Sequence, residues 1–324
     1  MSAEPGLAQC AHLNCVDGST TGHSAIEKLY NGTLERCSRC GLVATHIQPT
    51  FAYDETYFVS EDCGGYAFDS TFSQHFDTNR FDAELAGLEE QGLKGSVLDV
   101  GCATGTFLRL AIDRGWQASG VEIADYARER VQTELGVPVA ASLDDLPTAA
   151  RYDVVTLHHV LEHIHEPLGF LSDHVRPRVG RRLLIEVPNF ASLGSRVHGP
   201  DWKDLRPDQH VLHFTPETLG RLVEQAGFKI HRIYTLGDPL WSLRGSLYNL
   251  GLLRGLLMRP NHEDRKPASG EIVGTGDAER YRPPTGLKRA ATDLSRILMA
   301  PVLGGVKRAG LAERLVAEAE ISGR

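Results

Sequence analysis

A glycine-rich turn after a buried strand is the first feature of this sequence that could do chemistry. In VLDVGCATGTFLRLA, Asp99, Gly101 and Gly105 stand where an apolar run of strand type changes to a helical pattern. Glycines at such a junction let the backbone approach a ligand at the helix N-terminus. Glu122 follows Gly101 by 21 residues, at the end of the next predicted strand. Doubly wound folds place there a carboxylate that accepts hydrogen bonds from ribose hydroxyls, so the pair predicts a nucleoside site.

The turn reads GCATG, whereas a nicotinamide dinucleotide favours GxGxxG for its pyrophosphate. Asp99 directs negative charge toward the same place, so a cationic or zwitterionic nucleoside suits the site better than a pyrophosphate does. The alternative is a tight turn that binds no ligand, with Glu122 as a surface carboxylate.

Histidines and a glutamate form a second candidate site in HHVLEHIHEP, just beyond the fourth predicted strand. His159, Glu162 and His163 are spaced i, i+3 and i+4, which predicts that they share one face of a helical turn. His210 and His213, from DQHVLHF, could converge on the same acceptor. A neutral imidazole is suited to taking a proton from an acceptor, and His159 is the first candidate for this general base, with His163 and His210 as further catalytic candidates.

Two other interpretations of this segment stay open. Glu162 and His163 could act only as helix caps and hydrogen-bond partners of their neighbours. Alternatively, His159, Glu162 and His163 could hold a divalent metal together, and two imidazoles in the ligand set favour zinc over magnesium.

Four of the six cysteines lie in the first 40 residues. RCSRCGL places Cys37 and Cys40 in a CxxC knuckle followed by glycine, and Cys10 with Cys15 forms a looser pair upstream. Two such pairs predict a structural zinc ion held by four thiolates, in which His12 could replace one ligand. A redox pair is the alternative, although CSRC does not open a helix in a βαβ unit.

The elements that must position these residues follow from an alternation that begins at Ser96. Short apolar runs such as SVLDVG, YDVVTLHH and RRLLIEVP take turns with helical stretches, which predicts a parallel sheet with helices on both faces. TPETLGRLVEQAGF carries the capping signals of a further helix, and FKIHRIYTL is a further strand. The predicted fold class is therefore α/β, a doubly wound Rossmann-like sheet, with ERLVAEAEI as its last strand.

Changes in composition divide the chain into five predicted regions. The Leu-rich insertion before the last strand, which contains Trp241 and Tyr248, could be a packed helical pair, a lid, a dimer contact or an interfacial membrane helix. The regions are a zinc-ribbon-like module at 1–50, a connector and cap helix at 51–92, a nucleoside-binding core at 93–237, a helical insertion at 238–311 and the last strand of the core at 312–324.

Composition limits the classes of partner and of location. The chain has 324 residues with 42 acidic against 34 basic side chains, so it lacks the basic footprint of a nucleic-acid-binding protein. The N-terminus has no basic segment followed by an apolar run, and the longest uncharged apolar run, 297–306, is too short to span a bilayer. We therefore expect a cytoplasmic protein with no transmembrane segment and no nucleic-acid partner.

Five segments resemble, in order and spacing, the class I S-adenosylmethionine-dependent methyltransferases over about 96–236. They are DVGCATG, GVEIA, YDVVTLHHVLEH, LLIEVPN and HVLHFTPETLGRLVEQAGF. The chain most resembles the ubiquinone-biosynthesis O-methyltransferases and the methyltransferases of sugar and polysaccharide clusters, several of which begin with a Cys-rich ribbon and a YDETYF-like segment. The resemblance implies S-adenosylmethionine as the cofactor. Ubiquinone-type enzymes carry ExxEH, where a metal is implied, and His159 replaces the first Glu here.

The same resemblance implies roles for residues around the turn. Gly101 and Gly105 would line the methionine moiety, Glu122 would bind both ribose hydroxyls, and Ile123 would pack on adenine. The complete predicted cofactor-binding set is Asp99, Gly101, Cys102, Ala103, Gly105, Glu122, Ile123, Ser142, Leu143 and His158.

Three further positions are implied beyond the second strand. Ser142 and Leu143 would meet the adenine edge, and His158 would lie beside the sulfonium. The family often has Asp or Glu where Ser142 stands, so Asp144 is a second candidate for the contact with the adenine amino group.

We therefore expect an S-adenosylmethionine-dependent methyltransferase that methylates a hydroxyl of a sugar or secondary metabolite by direct displacement, while a histidine takes the proton. Methylation of carbon or nitrogen on the same scaffold stays open, and so does a catalytically silent zinc-ribbon binding protein. The expected partner is a small-molecule or glycan acceptor, and the insertion could support an oligomer.

Overall fold

The computed structural model describes residues 26–45, 58, 71–237, 304–306 and 308–322. Within these ranges the strands are β1 Ile26–Leu29, β2 Leu34–Cys37, β3 Val43–Thr45, β4 Ser96–Val100, β5 Gln117–Val121, β6 Val139–Ala140, β7 Tyr152–His158, β8 Val179–Pro188, β9 Leu212–His213, β10 Phe228–Leu236 and β11 Arg314–Ile321. The helices are α1 Thr71–Glu90, α2 Thr106–Asp113, α3 Asp125–Leu135, α4 Pro167–Gly169, α5 Leu193–His198 and α6 Pro216–Gln225.

Seven strands form the main sheet in the order β10-β11-β8-β7-β4-β5-β6. The neighbours from β8 to β6 are parallel, and β11 runs antiparallel to both β8 and β10. The central strands are apolar on both faces because helices cover them, as β4 and β7 illustrate with four consecutive buried residues each. The predicted α/β class with a mostly parallel, doubly wound sheet is confirmed.

The last predicted strand is confirmed as β11, and it lies inside the sheet. Leu315, Ala317 and Ala319 project from it into the main hydrophobic core, while Val316 is buried on the opposite face. Nearly all of the predicted helical insertion, 238–311, lies outside the described residues.

A second, antiparallel sheet joins the N-terminal strands to the α/β domain. Its order is β1-β2-β3-β9, and β9 comes from the segment between α5 and α6. Leu42 and Ala44 pack into the same core cluster as Phe214 and Leu219. The described part of the predicted 1–50 module therefore shares a sheet and a hydrophobic core with the α/β domain. Cys10 and Cys15 lie outside the described residues.

Helix α1 lies within the region 51–92, for which a connector and cap helix were predicted. It begins at Thr71 and ends at Glu90. Leu85 and Leu88 bury one face of it against Phe107 of α2. Among the described residues, no helix is both long and apolar enough to cross a membrane.

A buried amide joins the loop after β8 to the chain that enters β11. Asn189 is fully buried, and its Nδ2 donates hydrogen bonds to the carbonyl oxygens of Gly310, at 3.0 Å, and Ala312, at 2.8 Å. Its Oδ1 accepts a bond from the Ala191 N–H at 3.1 Å. All three bonds connect backbone groups that the strands do not pair.

We predict that Asn189→Ala lowers the free energy of unfolding by roughly 2–4 kcal/mol, because buried backbone groups lose their partners. Urea denaturation of the purified chain measures the change. Gln225→Ala, at an exposed amide that ends α6, is the control and should shift stability by less than about 0.5 kcal/mol. Equal effects of the two substitutions would contradict the prediction.

Candidate functional site

A cavity of about 760 Å³ opens where the parallel strands end. One group of lining residues belongs to the turn after β4 and to the ends of β5 and β6, and a second group belongs to the histidine segment after β7. A third group comes from 203–210 and 313–314. This placement agrees with the rule that ligands of open α/β sheets bind beyond the carboxyl ends of the strands.

The glycine turn after β4 is confirmed in its backbone form. Gly101 and Gly105 have positive φ values of 73° and 83°. A Cβ atom on Gly101 would lie 2.5 Å from the side chain of Val160, and one on Gly105 would lie 2.9 Å from that of Val131. Both positions therefore exclude a side chain for conformational and for steric reasons.

Glu122 is tied to this turn by its side chain. Its Oε2 accepts a hydrogen bond from the Ala103 N–H at 2.9 Å, and its Oε1 accepts one from the Ala124 N–H at 2.8 Å. Burial raises the pKa of Glu122, and these two N–H donors oppose the rise. The carboxylate is thus held in one orientation on the cavity wall, with acceptor capacity left for a ligand.

A chain of polar side chains runs from β4 to α1 along the cavity. Asp99 accepts a hydrogen bond from the Thr156 hydroxyl at 2.7 Å, and its Oδ1 lies 3.3 Å from Nδ1 of His158. The other ring nitrogen of His158 lies 2.9 Å from Glu84. Burial alone would lower the pKa of His158, but Glu84 and Asp99 outweigh it and raise that pKa to about 10. The ring is therefore a cation at neutral pH.

The remaining predicted cofactor residues also line the cavity. Ile123 leaves 71% of its surface exposed, which suits a residue that covers a flat ring. Ser142 caps the short turn Leu143–Asp145, and Asp144 lies 2.9 Å from His174. Cys102 is buried, and burial together with Asp99 and Glu122 raises the pKa of its thiol far above the usual range.

His159 bridges two buried carboxylates. Its Nδ1 lies 3.0 Å from Glu162 and its Nε2 lies 3.2 Å from Glu186. Burial acts to lower the pKa of His159, but the two carboxylates raise it to about 9. At neutral pH both ring nitrogens therefore carry protons that point at carboxylate oxygens.

Glu186 forms ion pairs with two arginines in addition to His159, and the sequence analysis did not predict them. It is fully buried on β8, and its carboxylate accepts hydrogen bonds from Arg80 of α1 at 2.6 Å and from Arg314 of β11 at 3.3 Å. Arg80 and His159, together with Arg314, hold the pKa of Glu186 well below its usual range against the opposing effect of burial. The signal available in the sequence was a single Glu in the otherwise apolar run LLIEVP.

Glu162, His163 and His210 form a compact group that we call the acceptor cluster. One donor atom of each residue lies within 4.8 Å of a donor atom of the other two. Burial lowers the pKa of His163, and it lowers that of His210 to about 3, so both rings are neutral. Burial would raise the pKa of Glu162, but the neighbouring histidines, His159 first among them, together lower that pKa.

The acceptor cluster differs from the predicted group of His159, Glu162 and His163. The segment forms a short 3-10 turn over Leu161–His163, and His159 precedes it with a left-handed φ of 56°. His159, Glu162 and His163 therefore do not share one helical face. Among the described residues, the three-residue group that could hold a metal contains His210 in place of His159.

The N-terminal sheet reaches this cluster through Thr45. Its hydroxyl donates to the backbone carbonyl of His210 at 2.6 Å and lies 3.0 Å from Nε2 of His213. Farther along the same sheet, Cys37 and Cys40 are buried at the β2–β3 turn, which the Gly41 N–H closes on the Cys37 carbonyl at 2.8 Å.

Comparison with known proteins identifies the domain that contains this cavity. Residues 73–233 match the family model described as a methyltransferase domain. A ubiquinone biosynthesis O-methyltransferase from Leptothrix cholodnii is 36% identical over 90 residues, which are 25% of this chain and 37% of that protein. The chain thus spans little more than a third of the length of this curated relative.

Solved structures of methyltransferases are also similar. An S-adenosylmethionine-dependent methyltransferase from Archaeoglobus fulgidus is 18% identical, covers 82% of this chain and 100% of its own, and has a TM-score of 0.48. Magnesium protoporphyrin IX methyltransferase from Synechocystis, with bound S-adenosylhomocysteine, is 22% identical over 52% of this chain and 79% of its own, with a TM-score of 0.42.

The family match extends from α1 to β10 and includes the glycine turn, Glu122 and the histidine segment. These parts line one cavity. Residues 73–233 therefore form a methyltransferase domain of the class I S-adenosylmethionine-dependent type.

Proposed function

We propose that this protein transfers the methyl group of S-adenosylmethionine to a hydroxyl oxygen of a small molecule, of the sugar or secondary-metabolite class. One observation carries the proposal: Glu122 and the acceptor cluster line the same cavity. Glu122 is held in a fixed orientation by two backbone N–H groups, as a carboxylate that binds ribose hydroxyls would be. When bound, S-adenosylmethionine supplies an electrophilic methyl group on a sulfonium. The residues of the chain must orient both reactants and handle the proton of the acceptor.

For the cofactor, we propose that Glu122 accepts hydrogen bonds from both ribose hydroxyls while Ile123 covers the adenine. Gly101 keeps the backbone of the turn beside the cavity, where we place the methionine moiety, whereas the missing side chain of Gly105 leaves room for Val131 of α3. Asp99 contributes negative charge on the cavity wall, and its bonds to Thr156 and His158 keep that carboxylate in place. Asp99 and Glu84 flank the single cation of His158, so the three side chains keep one net negative charge, which favours a cationic sulfonium over a neutral product.

For the acceptor, we propose that its hydroxyl lies at the acceptor cluster, which handles the proton during the displacement. An O–H group must lose its proton as the new C–O bond forms, and neutral imidazoles are suited to that task. His163 and His210 are neutral, and His159 is already an imidazolium between Glu162 and Glu186. Burial lowers the pKa of His210 to about 3, which makes it a weak base, so His163 is the better candidate to take the proton. His159 is then a positioning residue that fixes the Glu162 carboxylate. The name of the curated O-methyltransferase relative favours oxygen as the atom methylated.

We also propose that Cys37 and Cys40 supply two of four thiolates to a structural zinc ion, with Cys10 and Cys15 as the other two. The tight turn between β2 and β3 suits a knuckle of this type. Because β3 pairs with β9, an ordered knuckle would stabilise the strand that carries His213.

The proposed function is tested with methyl-labelled S-adenosylmethionine and a panel of sugars, nucleotide sugars and phenols. Each hydroxyl compound is paired with its deoxy analogue, which lacks only that oxygen. We expect label on the oxygen of at least one compound and none on its analogue. Label on carbon or nitrogen, or a chain that does not bind S-adenosylmethionine, would refute the proposal.

We predict that Glu122→Ala weakens S-adenosylmethionine binding about 100-fold, because two hydrogen bonds to a charged acceptor are lost. Isothermal titration calorimetry measures the dissociation constant. Glu129→Ala, at an exposed carboxylate on α3, is the matched control and should leave binding unchanged. Thermal unfolding of both variants shows whether the glycine turn remains ordered, and unchanged affinity in a folded Glu122→Ala protein would contradict the assignment.

We predict that His163→Asn lowers kcat by roughly 100-fold or more, with an unchanged dissociation constant for S-adenosylmethionine, because the acceptor hydroxyl loses its base. His159→Gln should lower kcat by less than about tenfold and reduce stability, since two buried carboxylates lose a cation. Steady-state kinetics with the acceptor from the panel and urea denaturation separate the two effects. A loss of kcat in His159→Gln as large as that in His163→Asn would show that His159 is the base.

A further inference from the structure

Two cationic side chains belong to the segment that joins α5 to β9. Lys203 and Arg206 both line the cavity, and His210 of the acceptor cluster follows them in the chain. The carbonyl oxygen of Arg206 accepts hydrogen bonds from the N–H groups of Gln209, at 2.9 Å, and of His210, at 2.8 Å. One tight turn therefore fixes the position of Arg206 relative to an imidazole of the acceptor cluster.

The backbone of Arg206 is strained. Its φ is 40°, in the left-handed region that residues other than glycine rarely adopt. Five non-glycine residues within the described ranges have such a φ, and three of them, Ala103, His159 and Arg206, line the cavity. Conformations of this kind persist where the surrounding structure holds them, and they gather at ligand sites. The turn thus keeps Arg206 beside the cavity at a cost in free energy.

The charge of Arg206 acts on the acceptor cluster. Burial is the main reason why the pKa values of His163 and His210 are lowered, and the guanidinium of Arg206 lowers both further. An effect of this kind requires that the charge lie close to both rings. A group bound to Arg206 can therefore belong to the same small molecule as a hydroxyl at the acceptor cluster.

Cations outnumber carboxylates around the acceptor cluster. The described residues of this part of the wall, with Glu186 behind it, provide five cations and four carboxylates: Arg80, His159, Lys203, Arg206 and Arg314 against Glu162, Glu186, Asp204 and Glu313. The difference is one positive charge. It is opposite in sign to the net negative charge that Asp99, Glu84 and His158 keep at the cofactor end.

Lys203 lies at the rim of the cavity. Its Nζ is 4.0 Å from the Asp204 carboxylate, at the outer limit of an ion pair, and 59% of its side chain is exposed. Burial raises the pKa of Asp204, and the charge of Lys203 opposes that rise. The carboxylate of Glu313 accepts hydrogen bonds from the Ser192 hydroxyl and the Trp202 indole, both at 3.1 Å. The long, flexible stem of Lys203 thus allows its ammonium to meet an anion that enters the cavity.

We infer that the acceptor carries an anionic group, a phosphate or a carboxylate, which Arg206 and Lys203 bind while the acceptor hydroxyl lies at the acceptor cluster. A guanidinium binds either group through two parallel N–H bonds, and an ammonium adds a point charge. The anion would then lie on the side of the cavity where cations are in excess. The inference deepens the proposed function and rests on it for the position of the hydroxyl.

Three related sugars test the inference by binding alone. The full-length chain is saturated with S-adenosylhomocysteine, which has no methyl group to transfer, and is titrated by calorimetry with glucose, glucose 6-phosphate and glucuronate. The charged probes share the ring of glucose, so they separate phosphate from carboxylate as the preferred anion. We expect at least one of them to bind about tenfold or more tightly than glucose, and we expect added salt to weaken that binding.

Variants assign the binding to the two cations. Arg206→Gln should weaken binding of the preferred probe about 10- to 100-fold, and Arg206→Lys should weaken it less, because the charge remains while the paired N–H bonds are lost. Lys203→Gln should weaken it by about tenfold or less, since the side chain is exposed. Arg109→Gln on α2 and Lys229→Gln on β10 are the matched controls, because both side chains are exposed and do not line the cavity. Binding of S-adenosylhomocysteine and thermal unfolding show that each variant is folded.

Three results would overturn the inference. They are charged probes that bind no more tightly than glucose, folded Arg206→Gln and Lys203→Gln proteins that bind the preferred probe as wild type does, and a neutral acceptor that is methylated as efficiently as its phosphorylated or carboxylated counterpart. If one of these occurs while label appears on an acceptor oxygen, the anion site fails and the proposed function stands. If S-adenosylmethionine does not bind, or if label appears on carbon or nitrogen, the proposed function fails whatever the titrations show.

Discussion

The buried carboxylate of Glu186 is the constraint on which the site depends. It is fully enclosed on β8, and three cations from separate parts of the chain meet it: Arg80 from α1, Arg314 from β11 and His159 from the segment after β7. A buried charge is tolerated only where such partners are in place. The carboxylate therefore requires that α1, β11 and the histidine segment occupy fixed positions together, and these elements form the cavity wall.

The acceptor cluster is likewise assembled from distant segments. Glu162 and His163 follow β7, His210 precedes β9, and the backbone of His210 is held by Thr45 of the N-terminal sheet. The N-terminal strands therefore help to position the site, because the hydrogen bond from Thr45 fixes the backbone of His210. A substitution at Thr45 is expected to act on the same group of atoms as one at His210.

Local sequence signals were sufficient for the sheet and for the contact between the glycine turn and Glu122. The glycine turn and the carboxylate after β5 depend on contacts within one βαβ unit, so their spacing in the chain reports their geometry. The partners of His158 and Glu186 could not be found in this way. Glu84 and Arg80 lie on α1, and nothing in a single sequence states which strand end that helix will cross.

Residue type alone also gave the wrong roles for the histidines, because the charge of each ring depends on the groups that it faces. The spacing of His159, Glu162 and His163 would place them on one face only in a regular helix. His159 has a left-handed backbone and a short 3-10 turn follows it, so the three side chains do not share a face. Carboxylates then raise the pKa of His159, while burial lowers the pKa of His163 against the opposing effects of Glu162 and the Gln209 carbonyl. Neighbouring histidines of one motif therefore differ in charge, and only a neutral ring can accept a proton.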